Sequence, residues 1–200
     1  MRVTAGTAKG THLRASGAGV RPTSDRVKEA LFNALAPRLA GVRVLDLFAG
    51  TGALGIEALS RGAAQAVFVE RDVRAAAAIR RNLAAAHFDA QGEVRRGAVP
   101  AALDGLERDG AAFDLIVLDP PYGQELPART LRRLAASTLL AAGGIIAAEG
   151  HWRDDPGEVP GLRRVRDARY GETGLWFYVG REAAGSPAQT GESGERHDKV

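Results

Sequence analysis

Short apolar runs alternate with stretches of helical periodicity along most of the chain. The runs predict strands over residues 42–48, 66–70, 92–96, 113–118 and 144–149. Apolar residues at helical spacing predict helices over residues 53–61, 73–86, 100–108 and 127–140. Because strands and helices alternate, we expect a parallel sheet with helices on both faces.

The two ends of the chain depart from this alternation. Residues 1–22 are interrupted by glycines, which predicts an irregular or β-rich arm, and the spacing over 23–36 predicts an amphipathic helix. Two further runs, 162–168 and 174–179, flank a Gly-Glu-Thr turn and predict an antiparallel hairpin at the sheet edge. The fold class expected is α/β, a doubly wound, mostly parallel seven-stranded sheet of Rossmann type.

Composition limits the class of protein. Two hundred residues with 45% apolar content suit one domain with a sizeable core. No apolar run is long enough for a membrane span, and the N-terminus lacks the apolar segment of a secretory signal. The chain has no cysteine and four scattered histidines, so no disulfide and no metal site are expected. A cytoplasmic, metal-independent protein is predicted.

Charge is distributed unevenly. The first 43 residues carry eight lysines or arginines against two acids, whereas the whole chain has a net charge of +3. This indicates a phosphate-rich partner for the N-terminal part, unless arginine is simply frequent throughout the chain. We expect a basic arm and helix over residues 1–40, an α/β domain over 41–180, and a polar, disordered tail over 181–200.

A glycine loop follows the first strand of the α/β region. The spacing Gly50-x-Gly52-x-x-Gly55 matches a dinucleotide-binding loop, and Glu70 at the end of the next strand suits a ribose. Asp46, however, lies just before the loop, where a carboxylate would repel a pyrophosphate. It suits the ammonium of an amino-acid moiety instead, which indicates S-adenosylmethionine. The alternative is a glycine loop with only a packing role.

The motif Asp119-Pro120-Pro121-Tyr122 follows the buried strand 113–118. In open α/β sheets ligands bind at the carboxyl ends of strands, so this turn and the glycine loop should open on one crevice. Asp119 and a backbone carbonyl can accept hydrogen bonds from one amino group, the prolines stiffen the turn, and Tyr122 offers a face to a planar base. The motif indicates chemistry on an exocyclic or amide nitrogen. Alternatively, it is a Pro-Pro turn that merely ends a strand.

With these residues in view, the chain resembles the class I S-adenosylmethionine-dependent methyltransferases, and more narrowly the bacterial 16S ribosomal RNA guanine-N2 methyltransferases. The resemblance lies in residues 21–33 (RPTSDRVKEALFN), residues 45–61 (LDLFAGTGALGIEALSR) and the Asp-Pro-Pro-Tyr motif. The second stretch marks the superfamily. Adenine-N6, guanine-N2 and some glutamine-N5 enzymes share the third, and the first points to the ribosomal RNA enzymes.

The resemblance implies a class I methyltransferase sheet, S-adenosylmethionine as cofactor, a monomer, and small-subunit ribosomal RNA or the assembling small subunit as partner. It implies catalytic roles for Asp119, Pro120, Pro121 and Tyr122. Cofactor binding is expected from Asp46, Phe48, Ala49, Gly50, Thr51, Gly52, Glu70 and Arg71. RNA binding is expected from Arg2, Lys9, Arg14, Arg21, Thr23 and Arg26. One departure is Ala98, which stands where such enzymes commonly carry an Asp or Asn, so backbone groups would have to contact the adenine.

Three other functions are compatible with parts of this pattern. A nicotinamide-dependent oxidoreductase would explain Glu70 but leaves Asp46 and the Asp-Pro-Pro-Tyr motif unexplained. A non-catalytic RNA-binding module would not need that motif. A DNA adenine-N6 methyltransferase usually carries a separate domain for reading base edges, and this chain has only about 40 N-terminal residues and a hairpin to spare.

Overall fold

The computed structural model describes residues 1–15, 25–121 and 125–181. Its strands are β1 (Arg43–Leu47), β2 (Gln65–Glu70), β3 (Gly92–Arg96), β4 (Phe113–Leu118), β5 (Leu140–His151), β6 (Leu162–Tyr170) and β7 (Thr173–Gly180). Its helices are α1 (Asp25–Leu35), α2 (Ala53–Ser60), α3 (Val73–Ala85), α4 (Val99–Arg108) and α5 (Leu126–Ala135), with a short 3-10 turn at Ala36–Arg38.

The strands form one seven-stranded sheet in the order β3-β2-β1-β4-β5-β7-β6. β1 to β5 pair in parallel, while β7 runs antiparallel between β5 and β6. After β3 the chain crosses to the other side of β1 and enters β4, so strand order reverses between β1 and β4. This confirms the predicted fold class. In open α/β sheets, ligands bind where strand order reverses, which here is at the carboxyl ends of β1 and β4.

Two apolar layers enclose the sheet. α1, α2 and α3 pack on one face and α4 and α5 on the other. The helical stripe predicted for α1 is buried, with Val27, Leu31 and Leu35 at most 4% exposed. Burying a side chain of this size stabilises the fold by about 1.5–3 kcal/mol. The central strands are buried on both faces, which explains their continuous apolar runs.

The region between α5 and β5 differs from the sequence prediction. α5 ends at Ala135, five residues before the predicted end, because the Ser137 hydroxyl donates to the carbonyl of Leu134 at 2.7 Å and closes the chain into a turn. β5 begins at Leu140, which pairs with Phe113. A register shift in the β4–β5 pairing and the positive φ of Gly143 (73°) accommodate the extra residues.

The N-terminal residues form a small antiparallel hairpin. Arg2 and His12 make an isolated β-bridge, and the Val3 amide donates to the carbonyl of Thr11 at 3.0 Å. Val3 and Leu13 are buried in the same apolar layer as α1, α2 and α3. The predicted β character of the arm is therefore present, and this hairpin shares the core of the α/β domain.

Several predictions concern residues outside the described part of the chain: the tail over 182–200 and residues 16–24, with Arg21 and Thr23 among them. Within the described residues, every helix is too short or too polar to cross a membrane.

Candidate active site

The carboxyl ends of β1 and β4 lie side by side. Leu47 pairs with Leu118 in the parallel register, and the Asp119 amide donates to the carbonyl of Leu47 at 3.5 Å. The turn after β4 therefore starts directly beside the loop after β1. The structure brings together the two motifs that the sequence places 70 residues apart.

The glycine loop after β1 depends on left-handed backbone conformations. Phe48, Gly50 and Gly52 have φ values of 61°, 55° and 78°. Glycine adopts such angles without strain, but a residue with a Cβ, such as Phe48, does so at a cost. Gly52 caps the start of α2, so the first amides of that helix point towards the crevice. Strained residues of this kind cluster at binding sites.

Asp46 is a buried acid beneath this loop. It is 1% exposed, and its Oδ2 accepts a hydrogen bond from the Gly55 amide at 2.8 Å. Burial raises the pKa of Asp46 to about 7; the Gly55 hydrogen bond opposes this rise, and the nearby charges of Asp119 and Glu70 add to it. A bound cation would relieve the repulsion among these three carboxylates. This group of hydrogen-bond acceptors therefore fits the ammonium of an amino-acid moiety.

Glu70 joins the ends of β1 and β2. Its Oε2 accepts from the Gly50 amide at 2.9 Å and its Oε1 from the Asp72 amide at 2.8 Å. Each carboxylate oxygen has a second lone pair, so Glu70 can hold the glycine loop and still accept hydrogen bonds from ribose hydroxyls. Arg71, the next residue, is exposed at the same strand end.

The remaining expected site residues occupy different environments. Pro120 is buried and Pro121 exposed, whereas Tyr122 lies outside the described residues. Ala98 is exposed at the N-cap of α4, next to the end of β3. Ala49 donates its amide to the carbonyl of Val69 at 3.0 Å, which fixes the loop to β2.

The expected RNA-binding residues are not all brought together. Arg2 pairs with Asp25 at the start of α1, at 3.6 Å, and Arg26 is exposed on the first turn of that helix. Lys9 lies at the hairpin tip, where the neighbouring Ala8 amide donates to Ser60 at the C-terminal end of α2. α2 spans about 12 Å, so Lys9 is at the end of that helix away from the glycine loop.

Asn82 of α3 connects Arg14, another expected RNA-binding residue, to the glycine loop. Its Oδ1 accepts from the Arg14 amide at 2.9 Å, and its Nδ2 donates to the carbonyls of Arg14 and Thr51 at 3.0 and 2.9 Å. Asn82 is 1% exposed. Sequence reasoning missed it, although an asparagine among the buried positions of an alanine-rich helix is a visible signal.

A buried ionic cluster, also missed from the sequence, holds the arm in place. Glu57 on α2 contacts Lys28 at 3.2 Å and Arg61 at 2.8 Å, and both Glu57 and Lys28 have side chains that are 0% exposed. Glu57 also accepts hydrogen bonds from the amide and hydroxyl of Thr4 at 2.9 and 2.7 Å. The sequence does carry a sign of this cluster: Glu57 is the single acid in an apolar helix, and Arg61 follows four residues later.

Glu149 is a second acid near the crevice that the sequence analysis did not select. It follows Ala148, which pairs with Leu118, so it stands level with Asp119 on the neighbouring strand. It is 4% exposed. Alternation along each strand puts Asp119 and Glu149 on the same face of the sheet.

Comparison with known proteins agrees with this geometry. The family model described as conserved hypothetical protein 95 matches residues 1–179. The chain belongs to this family. Relatives that resemble this chain include YlbH of Bacillus subtilis, 40% identical over 184 residues, which cover 90% of this chain and all of that protein. Ribosomal RNA small subunit methyltransferase D of Escherichia coli K12 is 37% identical over 142 residues, covering 71% and 70% of the two chains.

A solved structure also matches along most of the chain. The yhhF methyltransferase of Escherichia coli superposes with a TM-score of 0.78 and 33% sequence identity, covering 89% of this chain and 96% of that one. The fold and the family expected from the resemblance are therefore confirmed. This chain is a methyltransferase with the class I sheet.

Proposed function

We propose that this protein transfers a methyl group from S-adenosylmethionine to the exocyclic N2 amine of a guanine in small-subunit ribosomal RNA. The observation that carries the proposal is the adjacency of Asp119 to the Asp46 glycine loop across the β1–β4 strand ends. The name of the Escherichia coli relative supports the ribosomal RNA substrate. The guanine N2 atom rests on the resemblance of residues 21–33 and of the Asp-Pro-Pro-Tyr motif.

The residues around the glycine loop fit the cofactor. Asp46 would receive the ammonium, the loop from Phe48 to Gly52 would approach the nucleoside, and Glu70 would bind the ribose hydroxyls. Arg71 and the backbone near Ala98 stand where the adenine would be contacted. When bound, S-adenosylmethionine supplies an electrophilic methyl group on its sulfonium.

Asp119 would act on the acceptor amine. A guanine amine shares its lone pair with the ring, so it is a poor nucleophile while it stays planar. If the Asp119 carboxylate and the carbonyl beside Pro120 accept hydrogen bonds from the two N–H groups, they hold the amine in place and localise the lone pair. The stiff Pro120-Pro121 turn keeps these acceptors fixed, and Tyr122 is proposed to stack on the base.

The experiment that tests this function is transfer of labelled methyl to unmodified small ribosomal subunits, naked ribosomal RNA and DNA, followed by nucleoside analysis. We expect N2-methylguanine in ribosomal RNA. Asp119→Ala should lower transfer by about 10²-fold or more with cofactor affinity retained, because the acceptors at the amine act only on the reaction. Asp109→Ala, in an exposed ion pair with Arg95 at the far end of α4, is the matched control and should keep full activity.

Each outcome of the experiment tests a different part of the proposal. N6-methyladenine in DNA would keep the reaction type and refute the substrate. Label in none of the three acceptors would refute the proposed function. Unchanged turnover in Asp119→Ala would refute the catalytic assignment alone.

A further inference from the structure

The antiparallel edge of the sheet reaches the same side of the molecule as Asp119. β5 is parallel to β4, so its end at His151 points the same way as the end of β4. His151 pairs with Thr173, and Thr173 pairs with Tyr170 at the end of β6. The turn between β6 and β7 and the residues that follow β5 therefore flank the crevice.

The start of α1 closes this region from one face of the sheet. Arg26 and Val27 of α1 line a shallow cavity of about 310 Å³ together with Arg169, Tyr170 and Gly171. Beyond the C-terminal end of α1, Arg38 donates to the carbonyl of Gly143 near the start of β5. α1 therefore runs from the carboxyl ends of the parallel strands towards their amino ends. The cavity opens beside the crevice and has one arginine on each side.

Arg169 is held in a defined position. Its Nε donates to the carbonyl of Gly171 at 2.8 Å, and its guanidinium carbon lies 3.8 Å from the ring centroid of Trp152. Arg153 lies over the same ring at 5.2 Å. Stacking on an aromatic ring fixes the plane of a guanidinium while leaving its outer N–H groups available.

Arg26, Arg153 and Arg169 differ from Arg133 and Arg164 in their electrostatic partners. Arg164 is paired with Asp155, and Arg133 with Asp104 and Glu107. Among the described residues, by contrast, none forms an ion pair with Arg26, Arg153 or Arg169, and all three are exposed. We call these three residues the edge arginine cluster.

We propose that the edge arginine cluster binds backbone phosphates of the RNA strand that carries the target base, with Trp152 positioning Arg169. The proposal rests on the proposed function, which requires an RNA strand to enter the crevice at Asp119. A planar guanidinium binds phosphate oxygens through two parallel hydrogen bonds, so exposed arginines that form no ion pair among the described residues suit a polyanion. Two of the three, Arg26 and Arg169, line one cavity. Arg26 is already an expected RNA-binding residue, and the cluster extends that surface to Arg153 and Arg169.

The experiment measures binding of small-subunit ribosomal RNA as a function of salt, separately from methyl transfer and from cofactor binding. Arg169→Ala, and likewise Arg26→Ala, should weaken RNA binding by about threefold to tenfold and lower the slope of log K against log salt by about 1, because one phosphate contact is lost. Cofactor affinity should stay unchanged in both variants. Arg169→Lys should keep the salt slope, since it keeps the charge.

Arg163 provides the matched control. It is an exposed arginine near the start of the same strand, six residues before Arg169 and about 20 Å away at the opposite end of β6. Arg163→Ala removes the same charge and should leave affinity and slope as in the wild type. Equal losses from Arg163→Ala and Arg169→Ala would show a general charge effect and overturn the proposal, as would unchanged binding in Arg169→Ala.

The positioning role of Trp152 is tested by separate variants. Trp152→Phe keeps an aromatic ring under Arg169 and should retain RNA affinity, whereas Trp152→Ala should weaken RNA binding about as much as Arg169→Ala does. Adding Arg169→Ala to Trp152→Ala should then cost no further affinity, because the two residues act together. Fully additive losses would overturn the positioning role. RNA that binds without being methylated would refute the proposed function but leave this surface intact.

Discussion

At the scale of single residues, Asp46 has a structural role and a proposed role in cofactor binding. Its hydrogen bond to Gly55 ties β1 to the first turn of α2, and its burial makes the charged form costly until a cation arrives. A Cβ on Gly55 would lie 2.2 Å from the Phe68 ring and 3.1 Å from Oδ2 of Asp46, so this glycine is needed for close approach. The space around Asp46 therefore requires glycine at position 55.

The raised pKa of Asp46 predicts a pH dependence of cofactor binding. Below about pH 7 the carboxyl must lose its proton before it can accept the ammonium, so affinity should rise up to tenfold per pH unit and level off above pH 7. Titration calorimetry with S-adenosylhomocysteine between about pH 5 and pH 8 measures this. Asp46→Asn should bind weakly with a flat profile. An equally steep profile in that variant would assign the titration to another group.

The raised pKa of Asp46 also affects the stability of the fold. Rising pH favours cofactor binding but lowers the stability of the cofactor-free protein. The native pKa of Asp46, about 7, exceeds its ordinary value of 3.8, so the native state holds this proton more tightly than the unfolded state. Between these two values, this group alone makes the free energy of unfolding of the cofactor-free protein fall as pH rises.

At the scale of elements, α2 organises the N-terminal half of the molecule. All eight of its residues are buried, with the glycine loop at its start and the hairpin docked along its length. Glu57 and Ser60 are the polar positions that receive the hairpin: Ser60 accepts from the Ala8 amide and donates to the carbonyl of Ala5. Gly6 packs so closely that an added Cβ would lie 1.7 Å from the Ser60 carbonyl oxygen.

Breaking the buried ionic cluster should be strongly destabilising. Glu57→Gln leaves the Lys28 ammonium buried without its counter-charge, and we expect the free energy of unfolding to fall by about 3–5 kcal/mol. Denaturant unfolding measures it. The double variant Glu57→Gln/Lys28→Met removes both charges and should recover much of the loss. A double variant as unstable as the sum of its single changes would contradict this account.

The same cluster predicts how stability responds to acid. Burial raises the pKa of Glu57, but the hydrogen bonds from Thr4 and Arg61 and the charge of Lys28 outweigh it and bring the pKa below its ordinary value of 4.5. Its stabilisation is therefore present above pH 4.5 and is lost as pH falls through the lower native pKa.

At the scale of the whole molecule, the arm, α3 and the glycine loop meet at one side chain. Asn82 is hydrogen-bonded to Arg14 and to Thr51, and the Thr51 hydroxyl also lies 3.7 Å from the sulfur of Met1. The arm, which is predicted to contact RNA, is thus built directly against the loop that is predicted to hold the cofactor.

Removing this connection should therefore affect stability and cofactor binding together. Asn82→Ala leaves the amide and carbonyl of Arg14 and the carbonyl of Thr51 without this partner, at about 1–3 kcal/mol of unfolding free energy. Because Thr51 belongs to the loop, affinity for S-adenosylhomocysteine should also fall. Gln91→Ala, an exposed change after α3, is the control and should alter neither. Lower stability with unchanged cofactor affinity would show that the link is only structural.

The sequence by itself determined the order of elements, the α/β class and the family. Strand and helix periods follow from backbone geometry within a few residues, so they survive in a sequence without its tertiary contacts. The strand-end positions of Asp46 and Glu70 could be predicted for the same reason: Asp46 lies near the end of β1, before the glycine loop, and Glu70 is the last residue of β2. Within the described residues, the boundary between α5 and β5 was predicted wrongly, because the Ser137 turn competes with a helical pattern.

The tertiary structure alone decided which distant residues meet. Glu57 and Thr4 are 53 positions apart, and Asn82 and Arg14 are 68 apart, so neither contact leaves a periodic trace in the sequence. The same holds for Arg26 and Arg169, which face one cavity from α1 and β6. Such pairings depend on how whole elements pack across the sheet. Side-chain volume and burial determine this packing, and they do so only once the chain has folded.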